Sequence, residues 1–341
     1  MGYDNLRLEK GMYRQTGMNF TQVLESLDPS ENYRGTALEG TDAFQRQLKR
    51  FGIRAKGVNS SPVEKFFATM DSAVLFPEYI ARTVRQGMEE NDILPNIVAT
   101  TTMIDAMDYR SIYSVPEETD KELKDVAEGA EIPTTEIKTK EHLVSLKKRG
   151  RMLVASYEAI RFQKLDMFGI MLRQIGSYIQ KQLLKDAVNV VLAGDGNDNS
   201  FSVLEMGMGP ISDSGNGLGY EQMVEFWAQF YPYNMNVLLC GPDAMLKLLK
   251  VPELQNPLTG LNFQGTGKLA TPLGATLFQS DAIGSNLMIG LDNRYALEHV
   301  CAGDVMVEYD KLIDRQLERA AISTISGFSK INEGAVCALQ V

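Results

Sequence analysis

The chain has 341 residues, of which 44% are hydrophobic and 23% charged, and its formal net charge is −10. That length allows two modest domains or one elongated domain, and the composition excludes wholesale disorder. The acidity argues against a protein that grips nucleic acid, because duplex affinity comes mainly from Lys and Arg at phosphates.

The three cysteines, Cys240, Cys301 and Cys337, lack metal-ligand spacing and sit in apolar surroundings, so each is expected to be a buried free thiol formed in a reducing compartment. The segment Met1 to Lys10 is polar, without the apolar core of a signal peptide, and no apolar run approaches the ~20 residues of a membrane span. These features predict a soluble protein made in the cytoplasm.

Residues 1 to about 60 are polar and Gly-punctuated, with short helical patterns at Phe20 to Leu27, stopped by Asp28-Pro29, and at Asp42 to Phe51, stopped by Gly52. Such pieces are too short to be stable alone and must lie on something larger. Ser61-Pro62-Val63-Glu64 predicts a helix start, with Ser61 as N-cap and Pro62 at the first helical position. A second helix is predicted from Pro77, with Ile80, Val84 and Met88 as its stripe. Asn96 to Ile104 reads as a strand from its Val, Ile and Thr content, and Tyr109 to Pro116 as another.

A long charged segment follows, sorted by sign. Acids dominate its first half (Glu117, Glu118, Asp120, Glu122, Asp125, Glu128, Glu131) and bases its second (Lys138, Lys140, Lys147, Lys148, Arg149, Arg151). Alternation at Thr135 to Thr139 and His142 to Leu146 predicts a two-stranded arm that is polar on both faces. An isolated ribbon is marginal in water, so this arm would need a neighbouring subunit; a solvated loop or an ordinary hairpin in a sheet are the alternatives. From about Phe162 to Ala193, Leu165, Phe168, Leu172, Ile175, Ile179, Leu183, Ala187 and Val190 recur at helical steps, closed by Gly194-Asp195-Gly196. About thirty residues at ~1.5 Å each make a rod of roughly 45 Å, and core packing explains every apolar residue in it.

The passage to Gly219 is rich in Gly, Asn and Ser and predicts loops around a short hairpin. Residues 220 to 310 read as a compact α/β unit. It has helices at Glu221 to Phe230 and Asp243 to Lys250, and strands at Asn236 to Cys240, Ala275 to Gln279 and Leu287 to Leu291. The tail carries two alternating segments, Ala321 to Ser326 and Ala335 to Leu339, that suit strands returning to an earlier sheet.

Motifs that resemble chemistry fail on inspection. Asp195-Gly-Asn197-Asp198-Asn199 lacks the sixth-position glycine (Ser200) and the twelfth-position Glu (Met206) of a calcium loop, and reads as a helix C-cap and turn. Gly265-Thr-Gly267-Lys268 has Asn262 and Leu269 where a phosphate loop needs Gly and Ser/Thr, and reads as a flexible loop. His142 is expected to be exposed and His299 to cap or pack. Nothing assembles a base, a nucleophile and an oxyanion hole, and no cofactor or metal is expected.

In the order of its parts the chain resembles the major capsid proteins of tailed bacteriophages, with the Hong Kong 97-like fold. Three stretches carry the likeness: Leu75 to Ile80 through Ile93-Leu-Pro; the charged loop with Glu128-Gly-Ala-Glu131 running through Ser156 to Ile160 into the long helix and Leu192 to Gly196; and Gly241-Pro-Asp-Ala-Met245 to Asn293. Together they cover roughly residues 62 to 341. The resemblance implies an α+β fold with an N-terminal arm (1–74) and a peripheral domain on a long spine helix (75–104, 152–215 and 311–341). It further implies an extended loop (105–151) and an axial domain (216–310). It implies a shell protein, not an enzyme, assembling with itself into hexamers and pentamers that close an icosahedral virion head around double-stranded DNA. Portal, scaffold or decoration proteins are implied partners. Such a wall has no need to bind DNA tightly, which fits the acidic charge. The sorted charges are expected to set register between copies, with Glu117, Glu118, Lys147, Lys148, Arg149 and Arg151 as contact residues. Residues 1–60 depart from the family core and are expected to be a retained arm, with a removable assembly segment as alternative. An encapsulin-like cargo shell and an oligomeric α/β enzyme built on the 220–310 unit are the alternative functions.

Overall fold

The computed structural model describes residues 3–14, 18–90, 92–114, 125–126, 128, 137–156, 162–197, 199–212, 217–256, 271, 273–303, 305–312 and 317–341. Its helices are α1 (Phe20–Leu27), α2 (Ala43–Arg50), α3 (Met70–Glu89), α4 (Leu165–Ala193), α5 (Tyr220–Ala228), α6 (Pro242–Leu249) and α7 (Pro252–Gln255). Strands β1 (Val98–Met103), β2 (Ile112–Ser114), β3 (Ile137–Thr139), β4 (Lys147–Ser156), β5 (Leu204–Glu205) and β6 (Val237–Cys240) precede β7 (Thr276–Gln279), β8 (Leu287–Leu291), β9 (Leu297–Cys301), β10 (Met306–Leu312), β11 (Leu317–Lys330) and β12 (Val336–Gln340). The chain condenses into two compact units, one of Met1–Asn91, Arg149–Gln180 and Asp304–Thr324, the other of Asp92–Lys148, Lys181–Gly303 and Ile325–Val341.

In the first unit, α1 and α2 each begin with a reciprocal capping box, Asn19 with Gln22 and Asp42 with Gln45. Each box satisfies two backbone donors that a helix start leaves unpaired. Phe20, Val23, Leu24, Phe44 and Leu48 are buried. Between the helices Arg46 is 0% exposed, its Nε 2.7 Å from Asp28 Oδ2 and its guanidinium stacked over the Tyr33 ring. Arg82 of α3 ties this pair of helices down, donating to Asp42 Oδ2 (2.5 Å), Thr21 Oγ1 (2.7 Å) and Glu78 Oε1 (2.9 Å).

Two expectations for this region are corrected. The helix predicted from Ser61 is only a 3-10 turn, Val63–Phe67, because the backbone before it is engaged elsewhere: Ser61 O accepts from Leu165 N, and Val63 N donates to Gln163 O. A single helix, α3, then runs through Pro77 instead of starting there, capped by Thr69 in a box with Ser72. Pro77 is the eighth residue of this helix, so it removes an internal hydrogen bond and crowds the carbonyl four residues before it, a cost borne by the packing of the helix.

Helices α3 and α4 meet at glycines. A Cβ on Gly87 would lie 2.1 Å from Arg173 O, and one on Gly176 would lie 2.1 Å from Val84 O, so the two backbones are in direct contact. The sheet of this unit pairs β10 antiparallel with the first part of β11, from Met306↔Ser323 to Leu312↔Leu317, and β4 also pairs with β11. Tyr309 of β10 meets Phe76 edge-on and stacks with Phe67.

The second unit holds a five-stranded sheet in the order β5-β12-β8-β6-β7. One face of it packs Leu238, Cys240, Leu277, Met288, Cys337 and Leu339 against Met223, Phe226 and Phe230 of the α5 region and Ala244, Met245 and Leu248 of α6. Gly290 makes room for the aromatics, since a Cβ there would fall 2.6 Å from the Phe230 ring. Burial pushes the thiols of Cys240 and Cys337 up to about 12, which keeps both protonated and inert. None of the three cysteines is in a disulfide, and Cys301 is only half-buried. Among the described residues of the passage to Gly219 the expected short hairpin does not form: β5 pairs parallel with the distant β12. Strands β9 and β10, not anticipated as separate elements, join the sheet ordered β1-β9-β11-β10, β9 inside it and β10 at its end. In this unit β9 lies between β1 (parallel) and the last part of β11 (antiparallel).

Candidate assembly surface

The two described ends of the charged segment lie within the second unit, beside β9. Its two legs pair as a short antiparallel ribbon, β2 with β3, from Ile112↔Thr139 to Ser114↔Ile137. Ile112 and Ile137 fall on one face of that ribbon by strand alternation, and they are 58% and 70% exposed. Below the ribbon Lys140 N donates to Ser111 O and Val144 N to Tyr109 O, both at 2.9 Å. The strand pattern expected at His142 to Leu146 gives way here to an irregular stretch. His142 is exposed, but Val144 is buried, which breaks a ladder that would put both on one face.

Each leg is held by a buried polar group. On the outgoing leg, the Glu298 carboxylate is 5% exposed and accepts three hydroxyl hydrogen bonds: Thr102 Oγ1 and Tyr109 OH at 2.6 Å to Oε1, and Ser111 Oγ to Oε2. Burial, then the bond to Glu298, raises the Tyr109 phenol above its ordinary value, so it remains a donor. On the returning leg, Lys140 Nζ lies 2.7 Å from Asp195 Oδ2, donates to Ser329 Oγ at 3.1 Å and also reaches Lys330 O. Asp195 further accepts from Ser329 Oγ (2.9 Å) and Lys330 N (3.0 Å). Burial pushes the Asp195 carboxyl up, but the hydrogen bonds from Lys140, Asn197 and Lys330 N outweigh it and hold the group well below the usual carboxylate range. Lys330 Nζ turns inward to Asn199 O (3.0 Å) and Val191 O (3.3 Å), and burial lowers its affinity for the proton.

Ser329 and Glu298 are directly paired across β11 and β9. The two clamps are therefore neighbours on one face of that sheet. The opposite face carries His299 stacked on Phe328 at 4.7 Å, with Cys301 Sγ 3.3 Å from His299 Nε2. Burial pushes His299 down to about 4, a packed neutral ring as the sequence implied. Beside the Lys140 clamp a cavity of about 250 Å³ is lined by Lys140, Glu141, His142, Asn197, Lys330 and Glu333, among others.

Of the expected contact residues, Glu117 and Glu118 lie outside the described residues, as does the Gly265–Lys268 loop. Lys147, Lys148, Arg149 and Arg151 follow one another on β4. Lys147 reaches Asp186 at 3.6 Å while staying half-exposed, Lys148 and Arg151 are exposed, and Arg149 is half-buried and engaged. Met152 and Val154 of the same strand are exposed alongside these bases. The clamp residues Glu298, Asp195 and Lys140 escaped sequence reasoning. The available signals were faint: one acid inside the apolar run Ala296 to Val300, and an aspartate between two glycines that reads as a turn. Among the described residues no group of three or more His, Cys, Asp or Glu could hold a metal, and no helix is long and apolar enough to cross a membrane.

A family model described as "phage capsid protein" matches residues 139–309, half of the chain. The chain belongs to the phage capsid protein family. It is a major capsid shell protein with the Hong Kong 97-like fold expected from its sequence, and its place is the virion. Solved structures of similar fold include the virus-like particle from Pyrococcus furiosus (15% identity, TM-score 0.52, covering 77% of this chain and 98% of that one). The capsid of the native GTA particle (13%, 0.53, 76% and 90%) and that of cyanophage P-SCSP1u (11%, 0.50, 72% and 87%) are also similar. No curated protein matches the sequence.

Proposed function

We propose that this capsid protein assembles into hexamers and pentamers that close an icosahedral shell around double-stranded DNA, and that it has no catalytic role. The observation that carries this reading is the β2–β3 ribbon, whose exposed face bears Ile112 and Ile137. A two-stranded ribbon with two exposed isoleucines on one face gains stability when a third surface covers them, and in a shell that surface belongs to a second copy. The extended loop is assigned to residues 105–151, the axial domain to 216–310, the peripheral domain to 75–104, 152–215 and 311–341, and an N-terminal arm to 1–74. The acids at Glu117 and Glu118 and the bases at Lys147, Lys148, Arg149 and Arg151 meet complementary charge on adjacent copies. Charge pairs at the rim of an interface steer encounter and fix register more than they add affinity. A portal, and scaffold or decoration proteins, complete the particle, which is assembled in the host cytoplasm. An acidic chain encloses DNA without gripping it.

Reversing Lys147, Lys148, Arg149 and Arg151 to Glu tests the contact assignment. Shell yield is expected to fall and to become dependent on salt, with the circular dichroism of the subunit unchanged. Unaltered yield and salt response would remove these bases from the interface.

A further inference from the structure

We propose that Glu298 and the Lys140–Asp195 pair are positioning residues for assembly, together making the base of the extended loop a fixed joint that sets its direction. The inference rests on the reading of that loop as an inter-subunit contact.

The geometry holds both legs, each by its own buried polar group. The outgoing leg is fastened by Tyr109 and Ser111 to Glu298, whose carboxylate also takes Thr102 at the end of β1. All three partners are hydroxyls, so the buried carboxylate is satisfied wholly by short O–H donors, which are among the stronger protein hydrogen bonds. The returning leg is fastened by a different chemistry, an ammonium threaded among Asp195, Ser329 Oγ and Lys330 O. The backbone adds Lys140 N to Ser111 O and Val144 N to Tyr109 O between the legs. Close behind, a Cβ on Gly327 would come 2.6 Å from Ser145 O, so the leg lies against the sheet backbone. Because Glu298 and Ser329 are cross-strand partners, one sheet face carries both fastenings.

A ribbon clamped at one leg can swing about it; one clamped at both legs cannot. Tyr109 to Ser114 and Ile137 to Lys140 are therefore fixed to the sheet of the second unit. A loop that has to find a neighbour's surface loses less freedom on docking when its base is already ordered. This accounts for burying a carboxylate and an ion pair where apolar residues would pack.

The test uses variants that delete hydroxyls and little else, Tyr109→Phe with Thr102→Val, alongside Glu298→Ala and the conservative Glu298→Gln. Hydrogen exchange is read at the amides of Ile112–Ser114 and Ile137–Lys140 in the unassembled subunit, and shell yield is read separately. A hydrogen bond to a charged group is worth enough to change exchange about ten-fold. Roughly ten-fold faster exchange confined to the root, lower shell yield, and partial recovery of both in Glu298→Gln are expected, with the β6–β8 amides unaltered. Unchanged root exchange in the hydroxyl-deleted variant would overturn the joint. Faster root exchange with normal shells would overturn its role in assembly. The charge-reversal variants of β4 report separately on the contact reading: if they too assemble normally, that reading has failed, and if they do not, only the joint has.

Discussion

The contact between α3 and α4 yields a sharp prediction, because two glycines of one helix should respond oppositely to the same change. Gly169 and Gly176 are both inside α4, where alanine is intrinsically favoured over glycine by about 1 kcal/mol. A Cβ on Gly169 finds Tyr79 Oη at 3.2 Å, the far end of a side chain, and other contacts at 3.8 Å. A Cβ on Gly176 finds Val84 O at 2.1 Å and Met88 N at 2.8 Å, which are backbone atoms of another helix. The closest ordinary approach of carbon to a carbonyl oxygen is about 3.3 Å, so the helices would have to part by roughly 1.2 Å. A gap of that size forfeits a large share of the dispersion contacts along the crossing, and overpacking of this kind costs about 1–3 kcal/mol or more. Gly176→Ala is expected to lose about 2 kcal/mol net of the propensity gain, whereas Gly169→Ala should be neutral or slightly stabilising. The assay is denaturant unfolding of the dissociated subunit, reading the midpoint at constant slope. Adding Gly87→Ala, whose Cβ would meet Arg173 O at 2.1 Å, should cost less in the Gly176→Ala background than alone, since the helices have already parted. Equal midpoints for Gly169→Ala and Gly176→Ala would refute the claim that the two backbones touch.

Arg46→Met leaves the Asp28 carboxylate buried without its partner and is expected to cost about 3–5 kcal/mol in the same assay. Replacing Asp28 with Leu as well should recover much of the loss. His299 gives a pH signature. Its folded value of about 4 lies below the unfolded 6.5, so the unfolded chain takes up a proton that the folded one refuses. Stability should be level above about pH 6.5, fall by at most about 3 kcal/mol as pH drops towards 4, and flatten below. His299→Gln should remove that slope in unfolding curves measured between pH 4 and 7.

Much of the local structure is legible because its causes are local. Asn19 and Asp28-Pro29 bracket α1, Asp42 and Gly52 bracket α2, and a three-four apolar step runs the length of α4. What escaped depends on partners remote in sequence. Nothing near Ser61 announces that its carbonyl is taken by Leu165, which stops a helix its capping residues favour. The glycines at 87 and 176 look like mild helix breakers until the two helices are placed against each other. β9 was missed because Glu298 and His299 interrupt its apolar pattern, although both are there to serve the sheet's two faces. The bases from Lys147 to Arg151 are readable as a charge run, but their place on a strand paired with β11 emerges only from the fold. Asp195 is the same case in reverse: its neighbours spell a turn, and its role comes from Lys140, Ser329 and Lys330.

The central claim, that this chain builds a shell from copies of itself, is tested most directly by electron microscopy of the purified full-length protein with light scattering in parallel. Closed particles tens of nanometres across, or ring-shaped capsomers that close on concentration, are the predicted result. A small oligomer of fixed size at every concentration and salt would contradict it.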